Sequence, residues 1–211
     1  MPRTKPFDEH YEKYEEWFSK NSSVYQSELK AIGHFIPQRG KGVEIGIGSG
    51  KFAVPFGIKV GVEPSKAMRK LAREKRIRVY TAVAESLPFG AGQFDFALMV
   101  TTICFVDDIK KSFQEVERIL KSGGYFIIGF VDRASSLGRR YEKEKEANVF
   151  YREATFFSTE EVLSLLSECG FEEPEVIQTV FGELAKIRSI QDYKEGYGEG
   201  GFVVIQARKA S

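Results

Sequence analysis

Residues 42–50, with the sequence GVEIGIGSG, contain the feature that most restricts how this chain can fold. An apolar run stops there at three glycines in alternate positions, Gly46, Gly48 and Gly50, and it carries one carboxylate, Glu44. Glycine adopts backbone conformations that other residues disfavour, and it lets a ligand approach the main chain closely. A carboxylate inside an apolar run is costly unless a partner pairs with it. The pattern therefore predicts a short strand that ends at a small polar ligand.

Strands and helices are predicted to alternate through most of the chain, after helices over residues 7–36. The predicted strands are 43–46, 58–63, 77–82, 94–100, 125–131, 175–181 and 201–208, and the main predicted helices are 65–76, 109–121 and 158–169. A short helix that contains Pro55 is expected after Gly50, and Gly123 and Gly124 are expected to end the helix 109–121. Such alternation is typical of an open α/β sheet, mostly parallel, with helices on both faces. No convincing helix separates the last two strands, so we expect an antiparallel C-terminal pair. Because no repeat or linker interrupts the pattern, residues 1–211 are interpreted as a single domain.

Composition excludes several classes of function. A length of 211 residues allows one substantial core, and the net charge of +1 gives no overall field that would attract nucleic acid or a membrane surface. No apolar run approaches the roughly 20 residues of a membrane span, and no apolar segment follows the basic N-terminus as in a signal peptide. Cys104 and Cys169 lie in apolar contexts, and neither His10 nor His34 has the neighbours of a metal site. We therefore expect a cytoplasmic protein without a metal ion.

A second carboxylate, Glu63, ends the second predicted strand, 17 positions after Gly46. Ligands of open α/β sheets bind beyond the carboxyl ends of the strands. An acidic residue at such a strand end can accept hydrogen bonds from the hydroxyls of a ribose. A dinucleotide fingerprint, G-x-G-x-x-G, would need a glycine where Lys51 stands. Glu44 would also repel a pyrophosphate, whereas it would attract an ammonium group. The residues therefore favour S-adenosylmethionine, which carries an ammonium and a ribose, over NAD.

Five motifs in order resemble those of the class I S-adenosylmethionine-dependent methyltransferases that act on small molecules. They are residues 43–50 (VEIGIGSG), 61–65 (GVEPS), 82–89 (AVAESLPF) followed by 93–95 (QFD), 100–108 (VTTICFVDD) and 118–124 (RILKSGG). One glycine motif is weak evidence, whereas five ordered motifs at matching spacing are specific. The resemblance implies a Rossmann-like, seven-stranded sheet, S-adenosylmethionine as methyl donor and S-adenosylhomocysteine as product.

The resemblance also implies which residues bind the cofactor. They are Glu44, Gly46, Gly48, Gly50, Glu63, Pro64, Ala84, Glu85 and Thr101. By this likeness, Glu44 and the backbone around Gly46 and Gly48 would hold the amino and carboxylate ends of the methionine moiety. The carbonyl of Thr101 would lie near the same moiety.

The ribose and the adenine would be held by the second and third motifs. The resemblance assigns the ribose hydroxyls to Glu63, one face of the adenine to Pro64, and the adenine edge to Ala84 with Glu85 nearby. Val83 stands where the family often has an aspartate that bonds the adenine amino group. Adenine recognition is therefore expected to depend on the backbone or on Glu85.

Two regions outside the motifs are predicted to cover the site. Residues 1–40 would form an N-terminal helical lid, whose aromatic side chains either pack together or face a sulfonium, since aromatic faces attract cations. Residues 132–157 are expected to be irregular and to form a substrate cap, with a solvent-facing insertion as the alternative. The acceptor is expected to be a small molecule, because residues 101–104 (TTIC) replace the Asn/Asp-Pro-Pro-Tyr/Phe motif used for nucleobase or glutamine amino groups. Methyl transfer needs mainly alignment and exclusion of water, and the sequence indicates no catalytic residue.

Two alternative functions remain open from the sequence. A basic stripe over residues 65–78 would suit an RNA methyltransferase, although a solvated helix face explains it as well; its members are Lys66, Arg69, Lys70, Arg73, Lys75, Arg76 and Arg78. An NAD-dependent oxidoreductase is the other alternative, and Lys51 argues against it. The leading hypothesis is methyl transfer from S-adenosylmethionine to a small-molecule acceptor by in-line displacement.

Overall fold

Eight strands form one sheet in the computed structural model, which describes residues 3–210; the first two residues of the predicted lid lie outside this range. The strands are β1 (Gly42–Ile45), β2 (Val60–Val62), β3 (Arg78–Tyr80), β4 (Phe94–Val100), β5 (Leu120–Val131), β6 (Phe171–Thr179), β7 (Lys194–Glu195) and β8 (Phe202–Lys209). Their order is β3-β2-β1-β4-β5-β8-β6-β7. Strands β1 to β5 pair in parallel, whereas β8 pairs antiparallel with both β5 and β6. The predicted mostly parallel sheet and its antiparallel C-terminal pair are confirmed.

The sheet has one strand more than the seven predicted. Strand β7 is only two residues long and pairs with β6 at the edge of the sheet. A strand of two exposed residues has no alternation of apolar and polar positions, so the sequence contains no pattern that would indicate it.

Seven α-helices accompany the strands in the described part of the chain. They are α1 (Lys5–Glu9), α2 (Tyr11–Lys20), α3 (Ser22–Phe35), α4 (Lys66–Glu74), α5 (Ile109–Ile119), α6 (Ser136–Glu144) and α7 (Thr159–Glu168), with 3₁₀ turns at Ile103–Phe105, Lys145–Ala147 and Leu184–Lys186. The predicted start of α7 is confirmed, because Ser158 and Glu161 form a reciprocal capping box. The N-terminal region is helical as predicted.

Both faces of the sheet are covered, which explains the continuous apolar sequence of β4. Phe96 and Leu98 belong to a core that includes residues of α3, whereas Ala97 and Met99 belong to a second core with residues of α5 and α7. Successive strand residues point to opposite faces, so a strand between two helical layers is apolar at nearly every position.

Three local predictions were wrong. Residues 51–57 form consecutive turns rather than a short helix, since Pro55 lacks an amide donor and Gly57 has a φ of +68°. Residues 132–157 were expected to be irregular but contain α6, whose apolar positions are too few to reveal a helical period. Helix α5 ends at Ile119, and the two glycines expected to end it, Gly123 and Gly124, lie inside β5.

No helix among residues 3–210 is both long and apolar enough to cross a membrane.

Candidate functional site

A cavity of about 840 Å³ lies at the carboxyl ends of the parallel strands. The segments that directly follow β1, β2, β3 and β4 contribute to its wall, and Val131 at the end of β5 does so too. Open α/β sheets bind their ligands at this edge. The volume lies within the range of about 300–1,000 Å³ that is typical of small-molecule sites.

Seven of the nine predicted cofactor residues line this cavity: Gly46, Gly48, Glu63, Pro64, Ala84, Glu85 and Thr101. Glu44 and Gly50 are not part of the wall. A side chain at Gly50 would overlap Ile77, so this glycine allows the loop to pack against the core.

The glycine loop exposes its main chain to the cavity because side chains cannot be accommodated there. Gly46 and Gly48 have φ values of +69° and +54°, which lie in the left-handed region. A Cβ atom at Gly46 would overlap the side chain of Thr102, and one at Gly48 would lie 3.1 Å from the hydroxyl of Tyr14. The loop therefore forms a close-fitting cradle of backbone groups.

The Glu63 carboxylate is held in a fixed position at the end of β2. Its Oε2 accepts a hydrogen bond from the Gly48 amide at 2.9 Å, and its Oε1 accepts one from the Ser65 amide at 2.8 Å. Burial raises the pKa of Glu63 to about 7, against the lowering effect of these two amides. One carboxylate thus joins the first and second motifs and presents a preorganised acceptor to the cavity.

Glu44 lies in β1 and is fully buried. One of its oxygens accepts a hydrogen bond from the backbone of Ala53, and Oε2 has no hydrogen-bond partner among residues 3–210. Burial raises the pKa of Glu44 well above its ordinary value. A buried acceptor without a donor is unusual in proteins, but Glu44 is not part of the cavity wall. The glycine cradle and Glu63, which do line the cavity, fit the polar groups of S-adenosylmethionine.

The third motif forms a tight turn in the cavity wall. Val83 and Ser86 are joined by an isolated bridge, and Val83 has no group that could bond an adenine amino group. Oε1 of Glu85 accepts hydrogen bonds from the amides of Asp107 and Asp108, at 2.6 and 3.1 Å. That oxygen therefore braces the loop after β4.

Thr101, the first residue after β4, has a strained backbone conformation. Its φ is +48°, which is uncommon for a residue with a branched side chain. The amide of Thr101 donates to the carbonyl of Gly129 at 2.7 Å, and its own carbonyl accepts from Sγ of Cys104. Such strain concentrates at functional sites, because the surrounding structure must maintain it.

Two carboxylates of the N-terminal helices, which no sequence motif indicates, connect these helices to the cofactor motifs. Oδ1 of Asp8 accepts hydrogen bonds from the Ser65 hydroxyl at 2.7 Å and from the Ala67 amide at 3.0 Å. Glu15 accepts a hydrogen bond from the Ser49 hydroxyl and pairs with Lys51 at 2.8 Å. Helices α1 and α2 are thus connected to the second and first motifs respectively.

Much of the cavity wall is aromatic. The aromatic residues that line it are Phe7, Tyr14, Trp17, Phe18, Phe52, Phe105, Tyr141, Phe150 and Tyr151. Phe7 of α1 lies 5.1 Å from Phe105 and 5.4 Å from Phe150, measured between ring centroids. Tyr151 contacts both Phe105 and Tyr141. The N-terminal helices and the segment before α7 therefore meet above the strand ends.

Much of the basic stripe of α4 has an internal role. Arg69 donates to the carbonyls of Glu63 and Pro64, Arg73 donates to the carbonyl of Val79, and Lys75 donates to the carbonyl of Ser49. These three side chains support the loops around the cavity.

Comparison with known proteins identifies the family. Residues 43–128 match the family described as "Methyltransferase domain". A SAM-dependent methyltransferase of Thermotoga maritima, named a possible histamine N-methyltransferase, is 52% identical, and the alignment covers 97% of this chain and 98% of that one with a TM-score of 0.94. An uncharacterised protein of Methanocaldococcus jannaschii is 46% identical over 96% of this chain and 98% of its own length.

A more distant structure shares the fold and contains the cofactor product. It is a Haemonchus contortus phosphoethanolamine N-methyltransferase in complex with S-adenosylhomocysteine, 19% identical, with a TM-score of 0.65 over 87% of this chain and 52% of that one. The family assignment rests on the sequence identity to the Thermotoga protein and on the nearly complete coverage of both chains in that alignment. The chain belongs to the S-adenosylmethionine-dependent methyltransferases, and S-adenosylmethionine is its cofactor.

Proposed function

We propose that this enzyme transfers the methyl group of S-adenosylmethionine to a small molecule that binds in the aromatic part of the cavity. The observation that carries the proposal is the composition of the wall: α1, α2 and residues 147–151 all contribute to it. A concave site of this volume fits a small acceptor beside the cofactor, whereas an acceptor within a large polymer needs a long groove.

The residues at the strand ends would hold the cofactor. We assign the methionine end to the backbone of Gly46 and Gly48, with the unpaired oxygen of Glu44 close to this part of the chain. Glu63 would accept the ribose hydroxyls, and Pro64 and Ala84 would border the adenine. When bound, S-adenosylmethionine supplies a methyl group that is already activated by a sulfonium.

The protein's own contribution would be alignment and exclusion of water. Residues 3–40 act in this proposal as a lid and residues 132–157 as a substrate cap, so that both close the reacting groups off from solvent. Holding donor and acceptor in line accounts for a large part of the rate in such reactions, and no base is required for an acceptor that arrives deprotonated.

An RNA acceptor is less well supported. Arg69, Arg73 and Lys75 donate hydrogen bonds to backbone carbonyls, which leaves only part of the stripe to face phosphates. A protein that binds RNA through several basic side chains loses affinity steeply as salt rises.

Calorimetry and an acceptor screen test the proposal. We expect S-adenosylhomocysteine to bind the wild type and to bind Glu63→Ala much more weakly. The screen would record S-adenosylhomocysteine release with small amines, alcohols, thiols and carboxylates, and with RNA. Histamine belongs in the panel because of the name of the Thermotoga relative. Turnover of RNA in preference to every small molecule would contradict the proposal.

A further inference from the structure

Glu28, on α3, is a buried carboxylate that neither the motifs nor the cofactor explain. Its side chain lines the cavity, yet the residue is only 7% exposed. Its carboxylate forms no hydrogen bond or salt bridge with any residue between 3 and 210. Buried carboxylates are almost always paired, because an isolated buried charge is strongly disfavoured. The missing partner therefore points to a ligand.

The surroundings of Glu28 contain neutral aromatic groups in place of a cation. Burial raises the pKa of Glu28 to about 8, and no cationic side chain opposes this effect. Burial also raises the pKa values of Tyr14, Tyr25 and Tyr141, and the Glu28 charge raises them further. A tyrosine is neutral or, when ionised, negative, so these side chains supply no positive charge to the carboxylate.

We propose that Glu28 binds a positively charged amine of the methyl acceptor. An ammonium beside Glu28 favours the ionised form that burial disfavours, so the carboxyl releases its proton and pairs with the cation, and aromatic rings such as Trp17 and Tyr141 attract the same cation. A neutral or an anionic acceptor forms no such ion pair, so the site favours a cationic one. Glu28 is thus a specificity-determining residue, and the inference rests on the small-molecule acceptor proposed above.

Binding of simple amines to the protein saturated with S-adenosylhomocysteine tests the inference. Each cationic probe is compared by calorimetry with a neutral molecule of similar size. The pairs are phenethylamine with phenethyl alcohol, cyclohexylamine with cyclohexanol, and tetramethylammonium with tert-butanol. We expect at least one amine to bind the wild type about tenfold more tightly than its counterpart. Glu28→Gln should lose that preference without weakening the binding of the neutral molecule.

Glu16→Gln provides the matched control, because it removes one carboxylate from an exposed position on α2. It should bind every probe as the wild type does. Unchanged affinity for S-adenosylhomocysteine would show that Glu28→Gln is folded. The inference is overturned if no amine binds the wild type more tightly than its neutral counterpart, or if Glu28→Gln keeps the amine preference.

The two proposals fail in different ways. A wild type that does not bind S-adenosylhomocysteine, or that methylates only RNA, contradicts the proposed function. A wild type that binds the cofactor product and methylates an anionic or neutral small molecule, with Glu28→Gln equally active, contradicts only the role of Glu28.

Discussion

Replacing Glu28 by glutamine should stabilise the folded protein, by an amount that grows with pH. In the unfolded chain this carboxyl ionises near its ordinary pKa of 4.5, whereas burial in the fold raises the pKa to about 8. Between these two values the unfolded state loses the proton and the folded state keeps it. The contribution of protonated Glu28 to the free energy of unfolding is therefore fully present below pH 4.5, and it is lost as the pH rises to about 8.

The size of the effect follows from the separation of the two pKa values. One pKa unit corresponds to about 1.4 kcal/mol, so the wild type should lose about 3 kcal/mol through this group between pH 5 and pH 7. The loss should level off above pH 8. Glutamine does not titrate, and the shifts of Glu44 and Glu63 are common to both proteins. The difference in unfolding free energy between Glu28→Gln and wild type therefore reports Glu28 alone.

Urea denaturation at pH 5, 6, 7 and 8 would measure this difference. Glu16→Gln is the control, because the carboxylate of Glu16 is exposed and its removal should change the unfolding free energy by less than about 0.5 kcal/mol at every pH. A difference between Glu28→Gln and wild type that stays constant from pH 5 to pH 8 would refute the reasoning. It would mean that Glu28 ionises in the folded protein as it does in water.

Three further predictions concern the cofactor half of the cavity. Gly46→Ala should lower the unfolding free energy by about 1–3 kcal/mol in urea and abolish S-adenosylhomocysteine binding, because the new methyl group overlaps Thr102; normal binding would contradict the cradle. Glu63→Gln should weaken binding by about 10- to 100-fold, the loss expected for hydrogen bonds to a charged group. Wild-type affinity should fall as the pH is lowered through 7, the pKa of Glu63, and Glu63→Gln should show no such dependence. Asp8→Asn should speed hydrogen exchange in α1, since it weakens the bonds to Ser65; unchanged exchange would argue against the connection.

The sequence predicts the cofactor half of the site well because that half is built from local patterns. Each parallel strand is short and apolar, and the residues that follow β1, β2 and β4 reach the same edge of the sheet. Gly46, Glu63 and Thr101 therefore meet as a consequence of strand order. The position of Glu44 behind the wall was not predictable, because it depends on the packing that brings the backbone of Ala53 to its carboxylate.

The acceptor half could not be predicted, since its residues come together only through long-range contacts. Glu28 belongs to an otherwise ordinary amphipathic helix, and only the packing of α3 against β5, β6 and β8 shows that this position is enclosed. Asp8 and Glu15 likewise have no distinctive spacing, and their partners lie dozens of residues away. Helix α6 was missed because its charged residues conceal a narrow apolar face.

The charge preference of this enzyme is a property of its cavity rather than of its composition. A net charge of +1 suggests no preference for any ligand, yet Glu28, Glu44 and Glu63 are all buried at or beside the site with raised pKa values. Of the cationic residues that line the cavity, Lys13 and Lys111 are exposed to solvent, where salt screens them, and Arg3 is half-buried and pairs with Asp107 at 3.8 Å. A bound cation favours the ionised form of such a carboxyl, and the buried ion pair that then forms is screened by salt far less than an exposed one. We therefore expect the interior to favour positively charged groups on both ligands, the sulfonium of the cofactor on one side and, with Glu28, a cationic acceptor on the other.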